Sequence, residues 1–127
     1  MKIQEVLDLI KLEGAEHRSV ERCGLLGYNK DEGFVIKTVQ NKASDPSNFF
    51  MISPIDYLRF KKENDMVCVY HTHVIGDEEA SSFDMKMSNA CCIPFLIYGV
   101  KTDRFTVYTP SFCDTKNDLL EDLKCAI

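Results

Sequence analysis

The stretch MVCVYHTH, residues 66–73, decides the fold that this sequence predicts. It is apolar at neighbouring as well as alternate positions until it reaches two histidines, and such a run is typical of an interior strand in a sheet covered on both faces. Residues two apart in a strand point to the same face, so we expect His71 and His73 to project side by side. The sequence therefore predicts a central strand that ends in a histidine pair.

Helical and strand patterns follow one another along the rest of the chain. Periodicity and capping residues predict helices from Ile3 to about Glu16, from Ser53-Pro54 onward, from Ser81 or Ser82 to about Cys92, and from about Lys116 to Lys124. Further predicted strands are Val20–Tyr28 and Phe34–Val39, joined by a turn at Asn29–Gly33, and the segments FLIYGV and RFTVYT, joined by KTD. In the second helix we expect Ile55, Leu58 and Lys62 to line one side. The sum is a single α/β domain over residues 1–127.

Composition and charge exclude some classes of function. The 127 residues carry a net charge of −5, and the basic residues are scattered. Scattered basic charge leaves no electrostatic footprint for nucleic acid, so we expect no nucleic-acid partner. Glu5 and Asp8 interrupt the N-terminal segment where a signal peptide needs an apolar core, and no run reaches the length of a transmembrane helix. We therefore expect no membrane partner and a cytoplasmic protein.

The six cysteines are Cys23, Cys68, Cys91, Cys92, Cys113 and Cys125. An even number allows a disulfide framework. Three of the apolar runs nevertheless contain cysteine, and a free cysteine in such a run behaves as a small buried hydrophobe. No Cys-x-x-Cys pair offers thiolates to zinc. We interpret all six as reduced thiols, with the adjacent pair Cys91-Cys92 serving helix packing.

His71, His73 and Asp84 form a candidate set of metal ligands. Asp84 is expected in the first turn of the helix after the central strand, from which it can fold back over the strand end. Two imidazoles and one carboxylate are a ligand set of catalytic zinc sites, whose fourth position is left to water. Zinc lowers the pKa of such a water to near 7, which makes it a nucleophile. The simpler alternative is a strand-end histidine pair followed by an acidic surface loop.

A hydrolytic site also needs a general base and a donor for the developing oxyanion. Ser81 is expected at the mouth of the site, three residues before Asp84. The carboxylates at 77–79 are near in sequence, but we interpret them as surface charge. Glu21 differs because it lies inside the apolar run VERCGLLGY, where an unpaired carboxylate is costly to bury. Its candidate partners are a metal-bound water and Arg22.

The pattern Glu21...His71-Thr72-His73...Ser81-Ser82-Phe83-Asp84 resembles that of the JAMM (MPN-plus) metallopeptidases, zinc hydrolases that cleave peptide or isopeptide bonds. The segment ERCGLLGY is similar to their ExCGLLxG strand. The stretches SDPSNFFMISPIDYLRF and VCVYHTH are most similar to the bacterial and phage branch, and IPFLIYGVKTDRFTVYTP is similar to a strand pair of phage tail proteins. The resemblance covers nearly the whole chain.

This resemblance implies an MPN (cytidine-deaminase-like) fold, a three-layer arrangement in which helices flank a mixed central sheet. It implies a Zn²⁺ cofactor bound by His71, His73 and Asp84. It further implies that Glu21 is the general base and that Ser81 hydrogen-bonds the tetrahedral intermediate. The implied partner is a protein or peptide substrate, such as a ubiquitin-like or sulfur-carrier C-terminus or a virion protein.

Two positions depart from the family pattern. The family usually has proline where Val74 and Ala80 stand, so the loop between them is expected to be less rigid. We expect Phe49 and Phe50 to cover the core, and the resemblance also assigns these two residues, with Val74, to a substrate groove. If the protein is phage-encoded, its location is the host cytoplasm or the virion. The alternative function is a phage tail or virion assembly module that keeps the fold without catalysis.

Overall fold

The computed structural model describes residues 1–114 and 117–127. In chain order its elements are α1 (Ile3–Glu16), β1 (Cys23–Asn29), β2 (Gly33–Val39), α2 (Pro54–Glu63), β3 (Asp65–His73), α3 (Ser82–Cys91), β4 (Phe95–Gly99), β5 (Arg104–Tyr108) and α4 (Asp118–Ala126). Each element falls where the sequence patterns predict one. The predicted start of the last helix, about Lys116, lies outside the described residues. In the described parts of the chain, no helix is long and apolar enough to cross a membrane.

The five strands form one mixed sheet in the order β2-β1-β3-β4-β5. Strands β3 and β4 are parallel, joined by α3, and all other neighbours are antiparallel. The central position predicted for the histidine-bearing strand is therefore confirmed. In the register, His71 lies opposite Cys23 of β1 on one side and Ile97 of β4 on the other.

Helices cover both faces of this sheet. On one face, α1 and α4 bury their apolar sides against the strands, and the shared core includes Val6, Ile10, Leu120, Leu123, Tyr70 and Leu96. The core on the opposite face includes Phe60 of α2, Phe50, Val69, Phe95 and Ile97. The predicted α/β class, with a mixed sheet flanked by helices, is confirmed. Val69 and His71 share the second face, since residues two apart in a strand do so.

The predicted inner side of α2 is wrong. Ile55 and Leu58 are each 59% exposed, whereas Phe60 is 5% exposed. The reason lies in β1, where a side chain at Gly27 would stand 2.7 Å from the Phe60 ring. The missing side chain leaves room for the aromatic ring, and burying that ring turns Ile55, Leu58 and Lys62 outward. Pro54 does occupy the first turn as predicted, although the Ser53 side chain makes no capping hydrogen bond.

The prediction that all six cysteines are reduced is also wrong. Cys92 and Cys113 form a disulfide that ties the end of α3 to the segment after β5. Cys92 adopts a left-handed backbone conformation beyond the last residue of α3, so it is not a helix-packing residue. Cys23 and Cys68 are free and buried, as predicted from their apolar runs, while Cys91 is free and exposed. Sequence spacing does not reveal where the chain returns after β5, which is what brings this pair together.

Candidate metal centre

The two histidines at the end of β3 meet at their Nε2 atoms. His71 Nε2 lies 3.2 Å from His73 Nε2, and both side chains are buried. Two nitrogens bound to one tetrahedral zinc at about 2.0–2.1 Å stand about 3.3 Å apart. The predicted shared face is confirmed, and the spacing of the two nitrogens is that of ligands to a single ion.

Asp84 completes the group from the first turn of α3. Its Oδ1 lies 3.1 Å from His71 Nε2, and its Oδ2 lies 2.8 Å from His73 Nε2. A capping box fixes this geometry: the Asp84 N–H donates to Ser81 Oγ and the Ser81 N–H donates to Asp84 Oδ2, each over 3.0 Å. The helix cap that the sequence predicts therefore also aims the carboxylate at the histidine pair.

The hydrogen bonds of His73 define what its Nε2 can bind. His73 Nδ1 lies 2.9 Å from the carbonyl oxygen of Asp77. A carbonyl oxygen only accepts, so Nδ1 carries the hydrogen and Nε2 of the neutral ring presents a lone pair. That lone pair faces the anionic Oδ2 of Asp84. The arrangement is favourable only with a cation between the two atoms, either a proton or a metal ion.

Their environments shift the pKa values of the three groups in different directions. Burial lowers the pKa of His71, although Asp84 acts to raise it. The lowered pKa favours the neutral imidazole, which is the form that metals bind. Burial also acts to lower the pKa of His73, but its hydrogen bonds with Asp84 and the Asp77 carbonyl raise it overall. Burial would raise the pKa of Asp84, yet its hydrogen bonds with the two histidines hold it far below its usual range. The Asp84 carboxylate therefore stays ionised next to the two histidines.

His71 is held by ring packing. The Phe50 ring stacks on the His71 ring with centroids 4.1 Å apart, and Phe95 meets it edge-on at 5.5 Å. Among the described residues, His71 Nδ1 has no hydrogen-bond partner although it is buried. Aromatic packing thus replaces the outer hydrogen bond that usually orients a metal-binding histidine.

Glu21 lies two residues before β1, although the sequence predicts it inside a strand beginning at Val20. Its N–H donates to the Pro46 carbonyl over 2.7 Å, and Asn41 Nδ2 donates to its carbonyl over 2.8 Å. The side chain is 5% exposed, and its carboxylate lies within 4.8 Å of the ligand nitrogens of His71 and His73. These three buried residues could hold a metal ion.

The backbone next to Glu21 is fixed to the strand that carries the histidines. The Arg22 N–H donates to Thr72 Oγ1, and the Thr72 N–H donates to the Arg22 carbonyl, each over 2.9 Å. Thr72 lies between His71 and His73, so this pairing sets the distance from Glu21 to the histidines. The Arg22 side chain pairs with Glu13 of α1 at 2.9 Å. The candidate pairing of Arg22 with Glu21 is thereby excluded.

Burial raises the pKa of Glu21 from its ordinary 4.5 to about 8, although nearby His73 acts to lower it. In metal-free protein the folded state therefore keeps a proton that the unfolded state releases between these two values. The contribution of Glu21 to the free energy of unfolding is therefore fully present below pH 4.5 and is lost as the pH rises through 8. A bound cation would stabilise the carboxylate and reduce the shift.

We compare the free energies of unfolding of Glu21→Gln and wild type in the presence of a chelator. From pH 5 to pH 8 we expect the value of the variant to rise by about 3 kcal/mol relative to that of wild type. Glutamine keeps the shape of the side chain but does not titrate, and contributions from other groups cancel in the difference. Urea denaturation at pH 5, 6.5 and 8 measures the two free energies of unfolding. Parallel pH profiles for the two proteins would contradict the raised pKa.

The candidate metal centre opens into a cleft of about 360 Å³ whose lining includes Glu21, His73, Ile75, Asp77, Glu79 and Ser81. Ser81 is exposed at the mouth, as the sequence predicts. The loop carboxylates are also exposed or half-buried, which agrees with their interpretation as surface charge. Of the three predicted groove residues, Phe49 is 40% exposed and Phe50 is buried against His71. Val74 is buried in the core shared with α1 and α4, so its assignment to the groove is wrong.

The groups that hold the site in place leave little or no signal in the sequence. The Asp77 carbonyl orients His73, and Asn41 anchors both Glu21 and the Phe49 carbonyl. A backbone carbonyl in a loop leaves no mark in a sequence. Asn41 had a weak signal, because asparagine in an irregular segment commonly bonds to nearby backbone.

Fold and site together define an α/β domain with a buried candidate metal centre. The fold recurs in solved structures, two of which are solution structures. Protein DSY2949 from Desulfitobacterium hafniense is 19% identical over 83% of this chain and 75% of its own, with a TM-score of 0.60. A protein from Salinibacter ruber is 22% identical over 83% of this chain and 78% of its own, with a TM-score of 0.53. At these identities the likeness concerns the fold alone. No protein-family model matches the chain, and no curated protein matches it significantly.

Proposed function

We propose that this chain is a zinc metalloprotease of the JAMM type, a hydrolase of peptide or isopeptide bonds built on the MPN arrangement. The observation that carries the proposal is the convergence of His71, His73 and Asp84 in a buried site where His73, with its Nδ1–H donated to the Asp77 carbonyl, turns Nε2 toward a carboxylate. Imidazole nitrogen and carboxylate oxygen suit zinc, and the 3.2 Å spacing of the two Nε2 atoms fits tetrahedral coordination. When bound, zinc supplies Lewis-acid polarisation of a carbonyl and activation of water.

Glu21 supports the proposal as the group that moves a proton. Its carboxylate lines the cleft together with His73 and Ser81, within reach of a reacting water. Burial raises its pKa to about 8, and a neighbouring cation would lower that pKa. A base whose pKa lies near the working pH can both accept a proton and release it efficiently. Glu21 Oε thus accepts the proton of the water and delivers it to the leaving nitrogen.

Ser81 is suited to donate to the substrate oxyanion. Its Oγ already accepts the Asp84 N–H, so its own hydroxyl hydrogen is available to the cleft. The capping box holds this hydroxyl at the helix end, where the positive end of the helix dipole also favours a developing negative charge. The Ser81 hydroxyl would therefore stabilise the tetrahedral intermediate by a hydrogen bond. The substrate is a protein or peptide, with a ubiquitin-like or sulfur-carrier C-terminus or a virion protein as the candidates.

Metal content tests the proposal. We expect elemental analysis to find about one zinc per chain in wild type, loss of that zinc in His71→Ala, and its retention in His17→Ala. His17 is the matched control because it lies at the end of α1 outside the site. If wild type and His17→Ala contain zinc and His71→Ala does not, a substrate screen is also justified. If no protein holds zinc even after it is added back, and chelators change nothing, the assembly module without catalysis becomes the better account.

A further inference from the structure

A second cavity, of about 330 Å³ and mostly apolar, lies beside the metal centre. Its lining includes Phe50, Val69 and Phe95 on the sheet side, Met87 and Cys91 of α3, and Met51. Most of these side chains are apolar and none is charged. The cavity therefore suits an uncharged, bulky group.

The aromatic ring of Phe50 contacts both the cavity and the metal centre. Phe50 lines the cavity with one side and stacks on His71 with the other, at 4.1 Å between centroids. Phe95, also in the lining, meets the same histidine edge-on. Val69 lies two residues before His71 on the same face of β3, which places it about 7 Å along the strand. Cleft and cavity thus lie along one strand face.

The segment of residues 47–52 and helix α3, with its cap Ser81, contribute to the walls of both the cleft and the cavity. Ser47 and Ser81 line the cleft, whereas Met51 and Met87 line the cavity. Between them the Phe49 and Phe83 rings meet edge-on, with centroids 4.9 Å apart. From Ser81 to Met87 the helix rises about 9 Å. A peptide that reaches the metal centre would cross this aromatic pair to reach the cavity.

We propose that the cavity binds a bulky apolar side chain of the substrate, two to four residues from the scissile bond on its acyl side. The inference rests on the proposed function and names the substrate class of that site. An extended peptide advances about 3.3 Å per residue, so two to four residues span about 7–13 Å, a range that contains the spacings of about 7 Å along β3 and about 9 Å along α3. Burial of the side chain in this apolar space favours binding of such a substrate.

The charge of the cleft supports this direction. Asp77 and Glu79 line the cleft and not the cavity. Cleavage converts the leaving nitrogen to an amine that becomes positively charged, and nearby carboxylates attract such a group. The amine side of the substrate therefore lies toward the acidic loop, and the acyl side extends toward the apolar cavity.

A series of peptidyl hydroxamates, acetyl-Phe-(Gly)n-NHOH with n from 0 to 5, tests the inference on the zinc-loaded protein. The hydroxamate occupies the metal, so n sets the distance from the metal to the phenylalanine ring. We expect calorimetry to show the tightest binding at n of 1 to 3, about tenfold tighter than all-glycine analogues of the same length. Affinity that does not depend on n, or an optimum at n of 0 or above 3, would overturn the inference.

Two methionines of α3 give a matched pair of variants. Met87 lines the cavity and is 38% exposed, whereas Met85 is 37% exposed and is not in the lining. We expect Met87→Asp to lose the tenfold preference and Met85→Asp to keep it, although both add the same charge. Met87→Trp, which narrows the cavity without charge, should lose the preference too. Equal behaviour of the Met85 and Met87 variants would overturn the inference.

The proposed function and this inference fail in different ways. Zinc content and binding of acetohydroxamate, which has no side chain, report on the metal site alone. Normal values for both, without a preference for phenylalanine, would overturn the inference and leave the proposed function standing. Failure to take up zinc would overturn the proposed function, and the inference with it.

Discussion

Replacing Glu21 with glutamine is expected to lower kcat/KM for peptide or isopeptide cleavage by about a thousandfold while zinc is retained. Glutamine has nearly the same shape but cannot accept a proton, and general acid–base groups contribute about 10²–10⁴ to rate. His71, His73 and Asp84 still offer three ligands, so the metal does not depend on the proton carrier. The expected result is a protein that is folded, zinc-bound and inactive.

The measurement pairs kcat/KM with elemental analysis on the same preparations. Glu78→Gln is the matched control, because Glu78 lies on the loop after His73 and accepts a hydrogen bond from Thr102 rather than lining the cleft. We expect it to stay within about threefold of wild type. Cleavage by Glu21→Gln at the wild-type rate would remove Glu21 from the mechanism. Loss of zinc in this variant would instead make Glu21 a ligand, since its carboxylate is near both histidines.

The positions of the histidine pair and Asp84 follow from local rules. A strand period of two places His71 and His73 on one face, and a serine cap three residues before an aspartate fixes the first turn of a helix. Both rules act within a few residues, so tertiary structure has little opportunity to change their outcome. The sequence therefore predicts these three residues, together with Ser81, as one site.

Other parts of the site depend on contacts between distant segments. Glu21 reaches the histidines because Pro46 and Asn41 hold its backbone, in a segment without periodic pattern. Phe50 comes from the same irregular segment and stacks on His71. In such a segment no period predicts which side chain turns inward, so the sequence alone does not place Glu21 outside β1 or the Phe50 ring against His71.

The error in α2 has a similar origin. Helical spacing favours Ile55 and Leu58 as the inner side, but the sheet below accepts the Phe60 ring where Gly27 has no side chain. Shape complementarity with β1 thus overrides the periodic pattern of a short helix. The spacing of apolar residues in a helix predicts its buried side poorly when the sheet it packs on has space for a large side chain at one position only.

Asp84 caps α3 and, in the proposed function, binds the metal, so its replacement should affect both roles. In wild type, a hundredfold excess of zinc over its Kd stabilises the fold by about 2.7 kcal/mol. For a domain of this size we expect that to raise Tm by about 10 °C. Asp84→Ala removes the carboxylate that faces both Nε2 atoms, so zinc is expected to leave its Tm unchanged.

Ser81→Ala separates the two roles of Asp84. It removes the acceptor for the Asp84 N–H, at a cost of about 1 kcal/mol, but leaves the carboxylate in place. We therefore expect Ser81→Ala to melt a few degrees below wild type without zinc and to show the full increase in Tm with zinc. Thermal denaturation of the three proteins with a chelator and with zinc measures both effects. A zinc-dependent increase in Asp84→Ala equal to that of wild type would show that the ion binds elsewhere, because a buried site that loses a ligand loses the free energy that binding adds to folding.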